Sequence, residues 1–325
     1  MDFVNFQIEQ LKSSNKEERQ AAAFALGKVN DNKQAVINSL IDALAEPDED
    51  VYRTIREALQ KLGELAVLSV IQALNRPNPI IRSEAVYFFN LVRDARAVPN
   101  LIKLLKEDNN SEVRSVAAGM LGGILMDKRS VKPLIESLKD QDADVRYSAA
   151  ISLGQLYYDE VLEAVEPLIQ LLQDKDSNVR AHSAYALGQI GGDEVNTPLI
   201  PLLEDEDEDV RMWTTTALMR RNSNEVVEAV SKRLKDPSPK VRESAANTLR
   251  TLSSSKLAID YLLKALEDEV AEVRYAAAET LGETANKRVL PALQLLKDKD
   301  TGKTRLGYAV KEAAATAIEY IRQRE

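Results

Sequence analysis

The chain has 325 residues, 44% of them hydrophobic and 29% charged, which excludes a disordered polymer and supplies enough apolar surface for a packed core. Its 52 Asp and Glu outnumber its 43 Lys and Arg, and this acidic balance disfavours nucleic acid and anionic membranes as partners. The absence of cysteine excludes disulfides and thiolate chemistry and fits a cytoplasmic location. The N-terminal segment carries acidic residues early and no long apolar run, so we expect no signal peptide and no membrane insertion.

A repeated pattern, followed along the chain, decides the predicted fold. In segments such as DSNVRAHSAYALGQI (176–190), Ala or Ser follows the arginine by three residues, Ala by four and Leu by seven. The slot of that arginine is filled in chain order by Arg19, Tyr52, Arg82, Arg114, Arg146, Arg180, Arg211, Arg242, Arg274 and Lys311. The sequence therefore contains ten units with a spacing of about 32 residues.

Each unit begins with a segment whose apolar residues have helical spacing, continues through an acidic or proline-bearing turn and ends in the arginine-led segment. This order predicts a helical hairpin. The small and apolar residues of the second helix form one stripe, which only a stacked neighbour can bury.

We therefore predict an all-α fold, a right-handed α-solenoid of about ten hairpins that forms one domain over residues 1–325. An N-cap repeat is predicted over about 1–30, and an atypical last repeat over about 286–325. The segment TGKTRLGYA (301–309) is predicted to be an inserted loop of that last repeat. The segment SSSK (253–256) is predicted to be a softer joint between units.

An aspartate precedes the arginine slot by six residues in six units. The predicted pairs are Asp108 and Arg114, Asp140 and Arg146, Asp174 and Arg180, Asp205 and Arg211, Asp236 and Arg242, and Asp268 and Arg274. This pattern, followed by ALG, resembles the HEAT-repeat family, particularly the short HEAT-like repeats of phycobilisome (PBS) lyases. The resemblance implies a ladder of hydrogen bonds between adjacent units. Because Tyr52 replaces the arginine and Arg76 replaces the aspartate near the N-terminus, we expect the ladder to be interrupted there.

The second helices of a HEAT array line its concave face, and the slots two, five and nine residues after the arginine are predicted to point away from the core. In the middle units these slots, with slot one at their edge, hold large or apolar side chains. The residues predicted to contact a partner or ligand are Tyr87, Leu91, Val116, Tyr147, Ile151, His182, Tyr185, Met212, Trp213 and Arg220. An exposed patch of this kind marks a binding surface. The alternative is that strong curvature buries these rings against neighbouring helices.

The sequence predicts neither a catalytic nor a metal site. His182 is the only histidine and has no acidic residue at metal-ligand spacing on its own face, so it is interpreted as a surface residue, with acid–base chemistry as the alternative. The segment DTGKT (300–304) lacks the first glycine of a phosphate-binding loop, because Lys297 stands there. Among HEAT-like enzymes, di-iron deoxyhypusine hydroxylases need several His-Glu pairs and DNA glycosylases need a cationic concave surface, and this sequence offers neither.

Two classes of function therefore stay open. The first is a non-catalytic scaffold, chaperone or assembly factor without a cofactor, which binds another protein such as a phycobiliprotein or a second HEAT-repeat chain. The resemblance to PBS lyases implies the second, a bilin lyase or lyase subunit that attaches a linear tetrapyrrole to a phycobiliprotein cysteine, or a phycobilisome degradation factor. An aromatic groove with a cationic group for the propionates would suit that task, and the residues expected to supply it are Tyr147, Tyr185, Trp213, His182 and Arg220.

Overall fold

The computed structural model describes residues 2–29, 33–252 and 256–324. Most of the predicted joint at 253–256 lies outside these residues. The chain divides into two compact units, Met1–Ala164 and Val165–Glu325, and the prediction of one continuous domain over 1–325 stays a prediction. The all-α prediction is confirmed: over the described ranges the only β interaction is an isolated bridge between Lys303 and Ala309.

Within residues 2–29 and 33–164, the first unit contains five helical hairpins. Its α-helices are α1 (Phe3–Gln10), α2 (Lys16–Leu26), α3 (Lys33–Asp42), α4 (Glu49–Leu62), α5 (Glu64–Ala73), α6 (Pro79–Phe88), α7 (Val98–Glu107), α8 (Ser111–Met120), α9 (Val131–Ser137) and α10 (Ala143–Gln155). Short 3-10 turns occupy Ala43–Ala45, Ala95–Ala97, Lys128–Ser130 and Asp159–Ala164, and a π-helical turn occupies Leu121–Leu125. The even-numbered helices are the arginine-led segments of the repeat.

The second unit repeats the arrangement. Its α-helices are α11 (Val165–Leu171), α12 (Ser177–Ile190), α13 (Asn196–Leu199), α14 (Glu208–Ala217), α15 (Asn224–Lys232), α16 (Pro239–Leu249), α17 (Lys256–Ala265), α18 (Ala271–Thr284), α19 (Leu290–Lys299) and α20 (Val310–Arg324). Further 3-10 turns occupy Asp193–Val195, Ile200–Glu204, Arg233–Lys235 and Lys287–Val289. A ten-residue segment, 300–309, separates α19 from α20.

Polar residues at the turns explain where the second helices begin. Asp142 and Asp207 adopt extended backbone conformations, and their side chains accept hydrogen bonds from the first backbone N–H groups of α10 and α14. Asn78 and Asn110 cap α6 and α8 in the same way. Such caps satisfy donors that have no partner within the helix, so the Asp and Asn residues of the turns fix the helix starts.

Close contact between successive second helices depends on the glycine of the ALG pattern. A Cβ atom added to Gly188 would lie 2.6 Å from the Cα of Ala217, and one added to Gly282 would lie 2.7 Å from the Cα of Ala317. The alanines three and four residues after the arginine slot, such as Ala117 and Ala118, are fully buried. Neighbouring helices therefore pack nearly backbone to backbone, as the small-residue stripe predicts.

The arginine of each regular helical hairpin joins that hairpin to the following one. Arg180 donates from Nη1 to the backbone oxygen of Asp174 in its own turn (2.9 Å), and from Nε and Nη2 to the two carboxylate oxygens of Asp205 in the next turn (2.9 and 2.8 Å). Asp205 also accepts a hydrogen bond from the backbone N–H of Asp207 (3.0 Å). Each rung thus fixes one turn and links two hairpins. The same carboxylate pairing joins Arg114 to Asp140, Arg211 to Asp236 and Arg242 to Asp268.

The ladder differs from the predicted pairs in its partners and its ends. The carboxylate that faces an arginine belongs to the following helical hairpin. The aspartate that precedes the arginine by six residues contributes only its backbone oxygen. Rungs that include a residue outside the predicted set are also present: Arg19 pairs with Glu46, Arg82 pairs with Asp108, and Arg274 pairs with Asp300. Arg76, which replaces the ladder aspartate near the N-terminus, forms an exposed ion pair with Asp42 (2.7 Å).

Candidate functional site

The predicted surface residues of the first unit are mostly half-buried. Tyr87, Val116, Tyr147 and Ile151 fall in this class, whereas Leu91 is 75% exposed. Helix α6 ends at Phe88, so Leu91 lies beyond the helix. The prediction that this residue, nine positions after the arginine slot, lies on the face of the helix is therefore wrong.

Slot two is not consistently exposed. Glu84 in this slot is 6% exposed and pairs with Arg56 (2.7 Å), whose guanidinium lies 5.2 Å from the centre of the Tyr87 ring. Burial raises the pKa of Glu84 despite this arginine. Ala276 and Ala313, in the same slot, are 4% and 5% exposed. The prediction that slot two faces away from the core is therefore wrong in these units, because the neighbouring second helix covers it.

Three predicted residues of the second unit meet in an aromatic cluster, defined as His182 and Tyr185 on α12 and Trp213 on α14. The Tyr185 and Trp213 rings are 5.0 Å apart at 69°, an edge-to-face arrangement, and the His182 and Trp213 rings are 5.5 Å apart. All three side chains are half-buried, as is the neighbouring Met212. Packing therefore orients these rings while leaving part of each accessible.

His182 is held by its own helix. Its Nδ1–H donates to the backbone oxygen of Asn178 at 2.9 Å, a bond that assigns the donor role to that nitrogen. In the described part of the chain, no group of three or more His, Cys, Asp and Glu side chains could hold a metal ion.

Arg220 does not lie on the helix from which its position was predicted. Helix α14 ends at Ala217, and Arg220 has a left-handed backbone with φ of 65° and an exposed side chain. Its backbone N–H donates to the hydroxyl of Thr251 (3.0 Å). The next residue, Arg221, is buried and donates to the backbone oxygens of Leu187 and Gly191 at the end of α12. The chain thus turns sharply at Arg220 so that Arg221 can cap a helix C-terminus.

Two adjoining cavities open between the second helices of this unit. One, of about 460 Å³, includes Met212 and Trp213 in its lining. The other, of about 560 Å³, is called the groove here and is lined by Glu243, Asn247, Glu272, Tyr275, Ala276, Glu279, Thr304, Arg305, Leu306 and Tyr308. Glu243, Asn247 and Arg305 line both cavities.

The groove is acidic, with one arginine among three carboxylates. The backbone N–H and the Nε of Arg305 both donate to Oε1 of Glu272 (2.7 and 3.1 Å), and its Nη2 lies 3.6 Å from Oε2 of Glu243. The backbone hydrogen bond is the main reason that the pKa of Glu272 lies below its usual value. Burial raises the pKa of Glu243, and the more distant Arg305 does not offset it.

The predicted residue set does not include the groove. Glu243 and Tyr275 occupy slot one, which the prediction treats only as an edge, and Arg305, Leu306 and Tyr308 belong to the inserted loop. A signal for them exists in the sequence, because an insertion in a repeat protein commonly maps to a loop on the binding face. The rings of the aromatic cluster are half-buried, as the packing alternative predicts in part, and Trp213 lines a cavity; partner or ligand binding by these residues stays a prediction.

No helix among the described residues is long and apolar enough to cross a membrane.

Solved structures of known proteins share this fold. An engineered protein aligns with a TM-score of 0.55 and 22% identity over 99% of both chains. YibA of Escherichia coli aligns with a TM-score of 0.59 and 22% identity, over 86% of this chain and 98% of its own. Importin beta aligns with a TM-score of 0.60 and 17% identity, over 98% of this chain and 50% of its own. At these identities the likeness is one of fold alone.

Two curated proteins are similar in sequence to part of the chain. Deoxyhypusine hydroxylase of Candida albicans is 29% identical over 129 residues, which cover 38% of this chain and 40% of the relative. The same enzyme of Eremothecium gossypii is 30% identical over 129 residues, which cover 39% of this chain and 38% of the relative. The chain thus spans about two fifths of the length of these relatives.

A family model for HEAT repeats matches five overlapping stretches that together cover most of the chain: 4–87, 67–154, 131–219, 165–250 and 227–319. The same stretches contain the stacked hairpins and the rungs between them. The chain belongs to the HEAT-repeat family.

Proposed function

We propose that the protein is a non-catalytic scaffold or assembly factor whose second unit binds a partner protein through the aromatic cluster and Met212. The observation that carries the proposal is the edge-to-face contact of Tyr185 and Trp213, which leaves both rings partly accessible, with Trp213 lining a cavity. HEAT repeats are a common protein-binding architecture, but the same fold serves many functions, so the proposal depends on this surface.

Pre-organisation of the Trp213 ring favours its role in binding. A tryptophan already fixed by Tyr185 and His182 loses little side-chain entropy when a partner covers it, and its remaining exposed area supplies the hydrophobic gain. Trp and Tyr are the usual anchors of protein interfaces. The acidic balance of the chain and its lack of cysteine suit a partner with a basic surface in a reducing cytoplasm.

The test compares proteins captured by the wild-type chain with those captured by Trp213→Ala and by Tyr157→Ala. Tyr157 is 85% exposed in the first unit and serves as the matched aromatic control. We expect a captured protein whose affinity falls by about 2 kcal/mol or more in Trp213→Ala and is unchanged in Tyr157→Ala. Because Trp213 is half-buried, its removal also lowers the melting temperature, so capture is measured well below unfolding. Equal capture by all three proteins would contradict the proposal.

The second candidate is the bilin lyase or lyase subunit implied by the resemblance to PBS lyases. It is favoured by the cavity that places Glu243 and Arg305 beside Trp213, because a carboxylate suits pyrrole N–H groups and a guanidinium suits propionates. Titration with biliverdin tests it, since Trp213 is the only tryptophan and its fluorescence reports on the cavity. Saturable quenching together with a sharpened visible band would favour this candidate over the scaffold.

We do not propose the activity of the hydroxylase relatives for this chain. The match covers about two fifths of their length, and the single histidine of the chain cannot supply the His-Glu pairs of a di-iron site.

A further inference from the structure

The inserted loop of the last repeat is an ordered hairpin, called the strap here and defined as Thr301–Ala309. The backbone N–H of Thr304 donates to the oxygen of Tyr308 (2.9 Å), and that of Gly307 donates to the oxygen of Thr304 (2.8 Å). Gly307 has a φ of 88°, which favours glycine and permits the tight turn. The strap therefore presents its tip in a fixed position.

The tip displays apolar side chains that the chain does not cover. Leu306 is 83% exposed and Tyr308 is 56% exposed, while the Tyr308 ring lies 6.0 Å from that of Tyr275 on α18. Leu306 contributes almost no hydrophobic stabilisation to the fold, because folding leaves most of its side chain in water. Its exposure beside a cavity fits contact with another molecule.

The floor of the groove already accommodates one guanidinium. Arg305 contacts Glu272 and approaches Glu243, yet its side chain stays 78% exposed and leaves Glu243 without a short contact. A second cation can therefore reach Glu243 from the solvent side. The tyrosine faces at Tyr275 and Tyr308 also favour cations.

We propose that the groove binds a basic amphipathic segment of a partner protein, whose Lys or Arg side chain competes with Arg305 for Glu243 while its apolar side chains cover Leu306 and Tyr308. This inference rests on the proposed function of the second unit as a protein-binding surface and names the chemistry of the partner. Arg305 then acts as an internal competitor that lowers the affinity of weakly basic segments.

Charge decides against other occupants. The formal net charge of the chain is −9, so a second copy would bring like charge to an acidic groove. Nucleic acid and anionic lipid would be repelled in the same way.

The experiment uses the full chain and a labelled helical peptide of about 18 residues with Leu on one face and Lys on the other, followed by fluorescence anisotropy near physiological salt. The same peptide with Glu in place of Lys is the charge control. We expect the Lys peptide to bind and the Glu peptide not to bind.

Two pairs of variants separate the groove from general electrostatics. Glu243→Gln is expected to weaken binding by about threefold to tenfold, whereas Glu228→Gln, at an exposed glutamate paired with Lys232, leaves it unchanged. Arg305→Ala is expected to tighten binding by about threefold to tenfold, whereas Arg288→Ala, which removes an equal charge beside Asp260, leaves it unchanged.

Absence of Lys-peptide binding would overturn the inference, as would equal effects of the groove variants and their controls, or weaker binding by Arg305→Ala. A loss of binding in Trp213→Ala with no effect at Glu243 and Arg305 would overturn the inference while the proposed function stands. Effects at Glu243 and Arg305 with none at Trp213 would support the groove and contradict the aromatic cluster as the binding surface.

Discussion

Removal of one arginine from the ladder tests how the stack is held together. In Arg180→Ala the carboxylate of Asp205 loses both of its guanidinium hydrogen bonds, and the backbone oxygen of Asp174 loses a charged donor. Both side chains are 12% exposed, so water replaces the lost contacts poorly. Breaking a buried ion pair by removing one partner costs about 3–5 kcal/mol, and we expect about 3 kcal/mol in the free energy of unfolding here.

The assay is urea unfolding of a double-mutant cycle made from Arg180→Ala, Asp205→Asn and the combination. Asparagine keeps an acceptor for the backbone N–H of Asp207 and so isolates the ion pair. We expect the double variant to lose less stability than the two single variants together, because a buried carboxylate without a partner exists only in Arg180→Ala. Arg288→Ala breaks an exposed pair in the same unit and should cost below about 0.5 kcal/mol. An equally small loss in Arg180→Ala would refute the ladder as a source of stability.

The same pair predicts a dependence on pH. Burial raises the pKa of Asp205, but the hydrogen bonds from Arg180 and Asp207 and the charge of Arg180 lower it more, and the net direction is downward. Because the pKa of Asp205 is lower in the folded state, its carboxylate stabilises the protein above the unfolded-state pKa of about 3.9. That stabilisation is lost as the pH falls through the folded-state pKa. In Arg180→Ala the buried carboxylate instead favours protonation. The difference in stability between wild type and variant should therefore shrink as the pH falls, beginning above about pH 4, where the unpaired carboxylate of the variant takes up its proton, and unfolding at several pH values measures it.

Three further substitutions test the packing, each by the midpoint of urea unfolding. Gly188→Ala should destabilise by about 2–3 kcal/mol, since the new Cβ would lie 2.6 Å from the Cα of Ala217. Gly119→Ala, where an added Cβ meets nothing within 4 Å, should stabilise by up to about 1 kcal/mol through helix propensity, and a loss would show that the helix ends need glycine there. Thr214→Val should stabilise by about 1 kcal/mol because the hydroxyl of Thr214 is buried without a hydrogen-bond partner, and a loss would indicate an ordered water.

The fold was predictable because the repeat makes every local signal appear many times. One arginine slot proves little, but ten slots, most of them followed by alanine at fixed offsets, define the helix pair and the side on which it packs. The rungs were predictable only in part. The spacing places Asp174 six residues before Arg180, but only the stacked structure shows that the carboxylate opposite Arg180 is Asp205. The spacing in the sequence therefore revealed the Asp and Arg motif but not which hairpin supplies the carboxylate.

The candidate site was harder to predict because exposure depends on neighbouring helices. A helical wheel places Glu84 and Trp213 in the same slot, yet Glu84 is buried and Trp213 is half-buried, since each meets a different side chain from the adjacent hairpin. The wheel also fails where a helix ends early, as at Arg220, because the left-handed residue redirects the chain. These failures come from tertiary packing and helix termination, which offsets from the arginine do not contain.

The departures from the repeat are the most informative residues for function. The glycine of ALG, the alanine stripe and the ladder arginines all have a packing reason in the structure, so they carry no evidence for binding. Trp213 packs against Tyr185 and Arg305 contacts Glu272, but the ladder and the helix contacts form in other repeats without such residues. Because a repeat can stack without these residues, they and the acidic groove beside them are the positions at which the proposed binding function is tested most directly.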